Sequence, residues 1–425
     1  MMLNPAKIYS TLGNPNSLMP LAVKDVSATA GMTASSFVTG KEEGQDRLID
    51  EAGTEFIWLS GIPMSKWTFN KTVFKAFGLD YNFDARNLKN KDIFEKIKEY
   101  APSEEVKKDI EKIGKNSKLF KNVATSKFIV ATALTVGSYI GLTRLKQKYT
   151  ENKIRKNLIA EHNKKKQEQE KNNNLAHNTS FKGFGNVVES FAFSPVKNMY
   201  ILDGFITAER LRDSRTPQEF MGYLIKEAST LFFMYYAGGK IQEMFEKYAT
   251  KKFNKSIGLD ARVLEDGALK KSFENGSIQK SIQEFKTANS SEVKLYEFLH
   301  KNPENEIVKI AKQSDIISLY KDTNKIDTRK YIDLKEVEGV QSKVEELYKQ
   351  YSEALKKGES SDKFFEGVKK LKRKSIRMNI GSSIFALGVV TPAIMLIKRL
   401  TGKDNKEFQT KKEIRAQLIK EGIIS

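Results

Sequence analysis

The sequence predicts an all-α, membrane-associated protein built from two tandem pseudo-symmetric repeats, with polar helical insertions that are longer in the second repeat. Three observations predict it. Prolines are few, 9 in 425 residues, so helices can run on without interruption. The chain repeats itself at a fixed offset. Two uncharged apolar runs stand at matching places in the two copies.

The repeat is plainest where LIDEAGTEF (48–56) meets LIKEASTLF (224–232), an offset of 176. Without a gap, Lys71, Lys75 and Phe77 meet Lys247, Lys251 and Phe253, and Asp84, Ala85, Arg86 and Leu88 meet Asp260, Ala261, Arg262 and Leu264. With small gaps, Asp25, Thr29 and Ala30 face Asp203, Thr207 and Ala208, and IRKNLIAE (154–161) faces IRAQLIKE (414–421). The identities span many residue types and keep their order, so shared Lys/Glu-rich composition does not produce them. A repeat of this kind decides the architecture before any other signal. The expected parts are an N-terminal tail (1–13), a first half (14–161), a polar Asn-rich linker (162–193) and a second half (194–421).

Within the first half, apolar helices are expected at about 17–40, 48–64 and 123–143, and polar helices at 89–121. In the second they are expected at about 195–211, 220–243 and 378–397, with a polar helical insertion over 265–372. The stretch MNIGSSIFALGVVTPAIMLI (378–397) carries no charge and is twenty residues long, which matches a bilayer core about 30 Å thick. Pro392 is tolerated in a spanning helix. The counterpart FIVATALTVGSYIGL (128–142) is shorter, and needs Val123, Ala124 and a snorkelling Lys127 to reach that length. Ala133, Gly137 and Gly141 share one face of that run; Ser382, Ala386 and Gly388 are the small residues of the other. Small residues at four-residue spacing predict close packing of the two runs on each other. Trp58 and Trp67, the only tryptophans, are expected at the head-group level. Lys and Arg crowd both sides of both runs, so they do not orient the chain; since the pattern does not reverse between halves, parallel repeats are expected.

The polar segments read as amphipathic helices. Ser103 begins one through the capping pattern that follows Pro102, and a glycine closes the long helix that starts near Asp333. They offer a surface for a protein partner. The net charge of +20 suits an anionic lipid surface. Arginine, the usual reader of bases and phosphates, supplies 13 of the 73 basic residues, which disfavours nucleic acid. Cysteine is absent, which removes disulfides, thiolate metal sites and Cys nucleophiles. The first residues lack the apolar core of a cleavable signal peptide.

No P-loop, HExxH or GxSxG pattern occurs, and no cofactor or metal site is expected. His162, His177 and His300 read as surface residues, and the chain as no enzyme. The repeated ionisable residues are the candidate site. Glu51 and Glu227 each open an apolar stretch; Arg86 and Arg262 lie in matching DAR triplets. One expectation is a structural ion pair in each half, Glu51–Arg86 and Glu227–Arg262. The other sets Glu51 and Glu227 as a pair across a polar cavity between the halves. The corresponding functions are a structural or interaction role in the membrane, or a small transporter or channel; a soluble basic helical protein that binds a partner or nucleic acid is a further alternative.

Overall fold

The computed structural model describes residues 5–14, 17–163, 195–214, 217–321, 323–401 and 409–424. The protein is all-α, and no strand occurs among the described residues. In chain order the helices are α1 (Pro5–Leu12), α2 (Met19–Thr39), α3 (Lys41–Phe69), α4 (Lys91–Glu99), α5 (Glu104–Lys115), α6 (Ser117–Asn163), α7 (Pro195–Arg212), α8 (Pro217–Leu231) and α9 (Gly238–Phe253). They continue as α10 (Ala261–Glu265), α11 (Gly267–Glu274), α12 (Ser277–Ala288), α13 (Glu292–Lys301), α14 (Glu306–Gln313), α15 (Leu334–Lys356), α16 (Ser361–Phe385), α17 (Thr391–Thr401) and α18 (Gln409–Lys420). Nearly all of the linker expected at 162–193, His177 included, lies outside the described residues. The segment expected as an N-terminal tail holds α1, whose Tyr9 and Leu12 pack on Ala261 and Ile376.

Local chemistry sets the helix ends of the polar segments. Asn90, Ser103 and Asp333 accept the first free amides of α4, α5 and α15. The long helix α15 stops before Gly358, whose φ of 83° is open to glycine without a Cβ penalty. Pro392 sits at the start of α17, where a π-helical turn, Ala386–Val390, joins α16 to it. Pro392 cannot donate an amide, and the wider turn with the Thr391 hydroxyl on the Ala386 carbonyl (2.9 Å) absorbs the defect. The helix therefore continues through the proline.

The hydrophobic cores do not follow the two halves of the sequence. One large core gathers Phe74–Ala124 of the first half with Phe245–Val368 of the second, around α4, α5, α9 to α16 and the start of α6. We call it the polar lobe, because its charged residues face out. A second core joins α2, α3, α6, α7, the turn before α9 and the turn after α16, through Leu21, Trp58, Tyr139, Leu202, Met234 and Leu387. We call this the apolar unit. Val123 and Ala124, expected in the first spanning run, are buried in the polar-lobe core instead. Ser117–His162 and Ser361–Ile397 are long and apolar enough to cross a membrane, with window hydropathies of 1.4 and 2.1.

The expected packing of the two apolar runs through their small residues is replaced by another. Open space surrounds the Cβ positions of Gly137 and Gly141, and Ala133 is exposed. The buried face of α6 is the opposite one, with Ala131, Thr135, Tyr139, Thr143, Lys146 and Thr150 at helical spacing. The reason is polarity: this face carries Tyr139 and Lys146, whose hydroxyl and ammonium meet Arg210, Asp46 and Asp50 inside the protein. It lies against α3 where Gly53 and Gly61 leave room for Leu142 and Thr135. The second run packs on α2. A Cβ on Gly31 would stand 2.2 Å from the Gly388 carbonyl oxygen, and one on Gly388 would meet Ser27. Ala386 is buried there and Ser382 is half-buried, its hydroxyl on the Asn379 carbonyl.

Two further expectations change. Trp58 is buried within the apolar unit, while Trp67 is exposed. His300 is half-buried between aromatic rings, stacked on Tyr100 at 4.6 Å and tilted against Tyr296 at 4.8 Å. His162 is half-buried at the end of α6.

Gly31→Ala is expected to destabilise the protein by roughly 1–3 kcal/mol through overpacking, whereas Gly137→Ala should be neutral or slightly stabilising. Thermal unfolding of the two variants checks this, and equal losses would contradict the packing. Burial holds the His300 imidazole down to about 4, against an ordinary 6.5. A lowered histidine pKa gives stability that is complete above pH 6.5 and is lost as the pH falls towards 4, by about 3 kcal/mol at most. His300→Phe should remove that part of the pH dependence of unfolding.

Candidate functional site

Charged side chains sit at the centre of the apolar unit. Helix α3 is apolar on its outer side but places Asp46, Arg47, Asp50, Glu51 and Thr54 on its inner side, by three- and four-residue steps. Helix α6 adds Tyr139 and Lys146, α7 adds Arg210, and α8 adds Tyr223, Lys226 and Glu227. All of these are buried except Thr54, which is half-buried.

Arg210 is the hub. Its guanidinium pairs with Glu227, stands 3.4 Å from Asp50 and 3.6 Å from Glu51, and donates to Thr54 (2.9 Å) and the Tyr139 hydroxyl (2.8 Å). Lys226 reaches Glu51 at 3.0 Å and Glu227 at 3.1 Å. Lys146 lies 3.6 Å from Asp46 and 3.5 Å from Asp50. Arg47 is 3.3 Å from Glu51, with Tyr223 under its guanidinium at 5.2 Å. Four cations thus meet four carboxylates, and the group is balanced.

Three more carboxyls lie close by without that balance. Asp203 accepts from Trp58 Nε1 (2.7 Å) and from the Tyr235 hydroxyl. Glu55 accepts from the Thr29 hydroxyl (2.8 Å), and Asp25 lies on the same helix as Thr29. No lysine or arginine stands at ion-pair distance from Glu55 or Asp203 among the described residues. Among those residues, too, no group of three or more His, Cys, Asp or Glu is arranged to hold a metal ion.

The expected Glu51–Arg86 and Glu227–Arg262 pairs are replaced. Arg86 is held by Asp84, two residues back, through its amide (2.9 Å) and guanidinium (2.7 Å), and lies over the Tyr331 ring. Arg262 is held in the same way by Asp260, at 2.8 and 3.0 Å, and also pairs with Asp315. An aspartate that caps the next turn while chelating the arginine two residues on satisfies itself locally, which leaves Arg86 and Arg262 to their own turns. A third copy of this turn occurs at Asp327 and Arg329, with guanidinium distances of 2.8 and 2.9 Å. It braces the first, since Asp84 N donates to the Arg329 carbonyl at 2.8 Å.

Glu51 and Glu227 do come together, through Arg210 and Lys226. Sequence reasoning missed Arg210, Lys226, Lys146 and the pair Arg47–Asp50. Their signal was present: several charges of both signs on one face of helices whose other faces are apolar. Comparison of the chain with family models, with characterised proteins and with solved structures gives no match.

Arg210→Met is expected to cost about 3–5 kcal/mol, because it leaves carboxylates buried without their cation. Adding Glu227→Gln should restore at least about 1 kcal/mol through the coupling between the two. Thermal unfolding of both variants tests the hub, and a double variant no more stable than the single would show that the pair is absent.

Proposed function

We propose that this protein is embedded in a membrane through its apolar unit, holds two repeated halves together there by the buried charge cluster, and has a structural or interaction role, with the polar lobe as the surface offered to a protein partner. The observation that carries the reading is the inverted distribution of residues in the apolar unit. Phe56, Leu145 and Ile397 are 68, 70 and 61% exposed, whereas Asp50, Glu51 and Arg210 are 0, 1 and 2% exposed. In water the exposed apolar side chains are unfavourable; in lipid they are favourable, and charged groups there cost least when paired in the protein interior. On α6 the exposed large apolar residues include Ile129, Val130 and Leu134 within the charge-free stretch, and Leu145 and Tyr149 beside exposed Arg144 and Lys148. The balanced cluster leaves no charge over for a substrate, which favours a clamp over a catalytic centre.

The repeat reading gains support from matched positions that touch. Glu51 and Glu227 share cations, Arg47 stacks on Tyr223, and Ile154 and Leu158 pack in one cluster with Ile414 and Leu418. Equivalent residues meet in this way next to a local two-fold axis.

A transporter or channel is the second reading. Asp203, which accepts from Trp58 and Tyr235, and Glu55, which meets Thr29 and the Asp25 carboxyl, favour it as acidic groups at lipid depth.

The natural absence of cysteine makes the test direct. Lys374→Cys and Lys398→Cys, made singly, flank the second apolar run. One should react with an impermeant maleimide in intact vesicles, and the other only after permeabilisation. Both reacting in intact vesicles, together with release of the protein by alkaline carbonate, would defeat the reading.

A further inference from the structure

The polar lobe contains a cleft of about 970 Å³, between the C-terminal ends of α4 and α13, one face of α14, Leu319 and residues 323–326. Its size is that of a small-molecule site. The walls are largely apolar, with Tyr100, Pro102, Leu299, Pro303, Leu319 and Ile326. The stacked rings of Tyr100 and His300, 12° from parallel, form part of the lining.

The polar groups on this lining are distributed unevenly. Its two glutamates are taken: Glu99 pairs with Lys96 at 2.8 Å, and Glu304 with Lys309 at 3.2 Å. Lys312 is half-buried on the wall and has no carboxylate at ion-pair distance among the described residues. Lys325 lines the mouth. Among the described residues the buried Nε2 of His300 has no hydrogen-bond partner, and neither has the hydroxyl of Tyr296, whose ring lies against His300.

We propose that this cleft binds a small organic anion, with a flat or apolar body on the Tyr100, Pro102 and Leu319 walls and an anionic oxygen group, phosphate or carboxylate, on Lys312 and Lys325. His300, stacked against Tyr100, is a neutral ring in that wall, because burial and the Lys312 charge hold its pKa down to about 4. The charge that selects the head therefore comes from the lysines, and the His300 ring beside them reports on occupancy. The site is independent of the membrane reading, since every residue in it belongs to the polar lobe.

Only three histidines occur in the chain, so a nitrogen-15 histidine spectrum of the full-length protein is simple, and His300→Gln assigns the resonance. Titration with adenosine 5′-phosphate, benzoate, adenosine and inorganic phosphate separates body from head. At least one of the two organic anions should shift the His300 signal saturably, more tightly than either adenosine or inorganic phosphate. Lys312→Gln should weaken that binding about tenfold while the other two histidine signals stay in place. The proposal is overturned by no saturable shift up to about 10 mM, by adenosine or inorganic phosphate binding as tightly as the organic anions, or by unchanged affinity in Lys312→Gln.

Discussion

Eight charged side chains share one small volume in the apolar unit, and the arrangement of its helices follows from keeping them paired. Asp46, Arg47, Asp50 and Glu51 come from α3, Lys146 from α6, Arg210 from α7, and Lys226 and Glu227 from α8. A buried ion that loses its partner is far more costly than the pair is favourable. The cluster therefore constrains more than it stabilises: each helix has little freedom to rotate or slide without leaving a charge alone. Arg210 carries most of this, because its fork reaches both halves of the chain at once.

The same constraint accounts for the close approaches elsewhere. With the polar stripe of α6 turned inward, Gly53 and Gly61 on α3 become the places where backbone and side chain meet. Gly137 and Gly141 are left on the outer side. Between α2 and the turn after α16, Gly31 and Gly388 allow backbones to touch near Pro392, where the helix already lacks one amide. Lys24 then ties α2 to Asn379 of α16 at 2.8 Å, and Asn379 donates to Gln242 of α9 at 2.7 Å. These links run from the apolar unit towards the polar lobe, where Lys372 of α16 joins Glu246 and the Ile257 carbonyl, each at 2.9 Å.

The polar lobe obeys the opposite rule. Its apolar residues are inside, its lysines and glutamates outside, and its helices start at Asn, Ser and Asp caps that the sequence announces. What the sequence does not announce is that the two halves build this lobe together. The segment from Leu79 to Lys121 is too short to close a core alone. Its Phe83, Ile97, Ile110 and Phe120 are covered by helices that arrive some two hundred residues later.

Helical class, the two long apolar runs and the capped polar helices were determined by sequence alone, because periodicity, charge-free length and cap chemistry act within a few turns of chain. Partner choice belonged to the tertiary structure. Arg86 stands thirty-five residues after Glu51 and Arg210 more than a hundred and fifty; an Asp two residues away claimed the first, and helix packing delivered the second. The small-residue faces show the same division. Spacing placed Gly137 and Gly141 on one side of α6, but the needs of Tyr139 and Lys146 on the other side determined which face turned inward, since an unpaired polar group away from water outweighs a smooth groove.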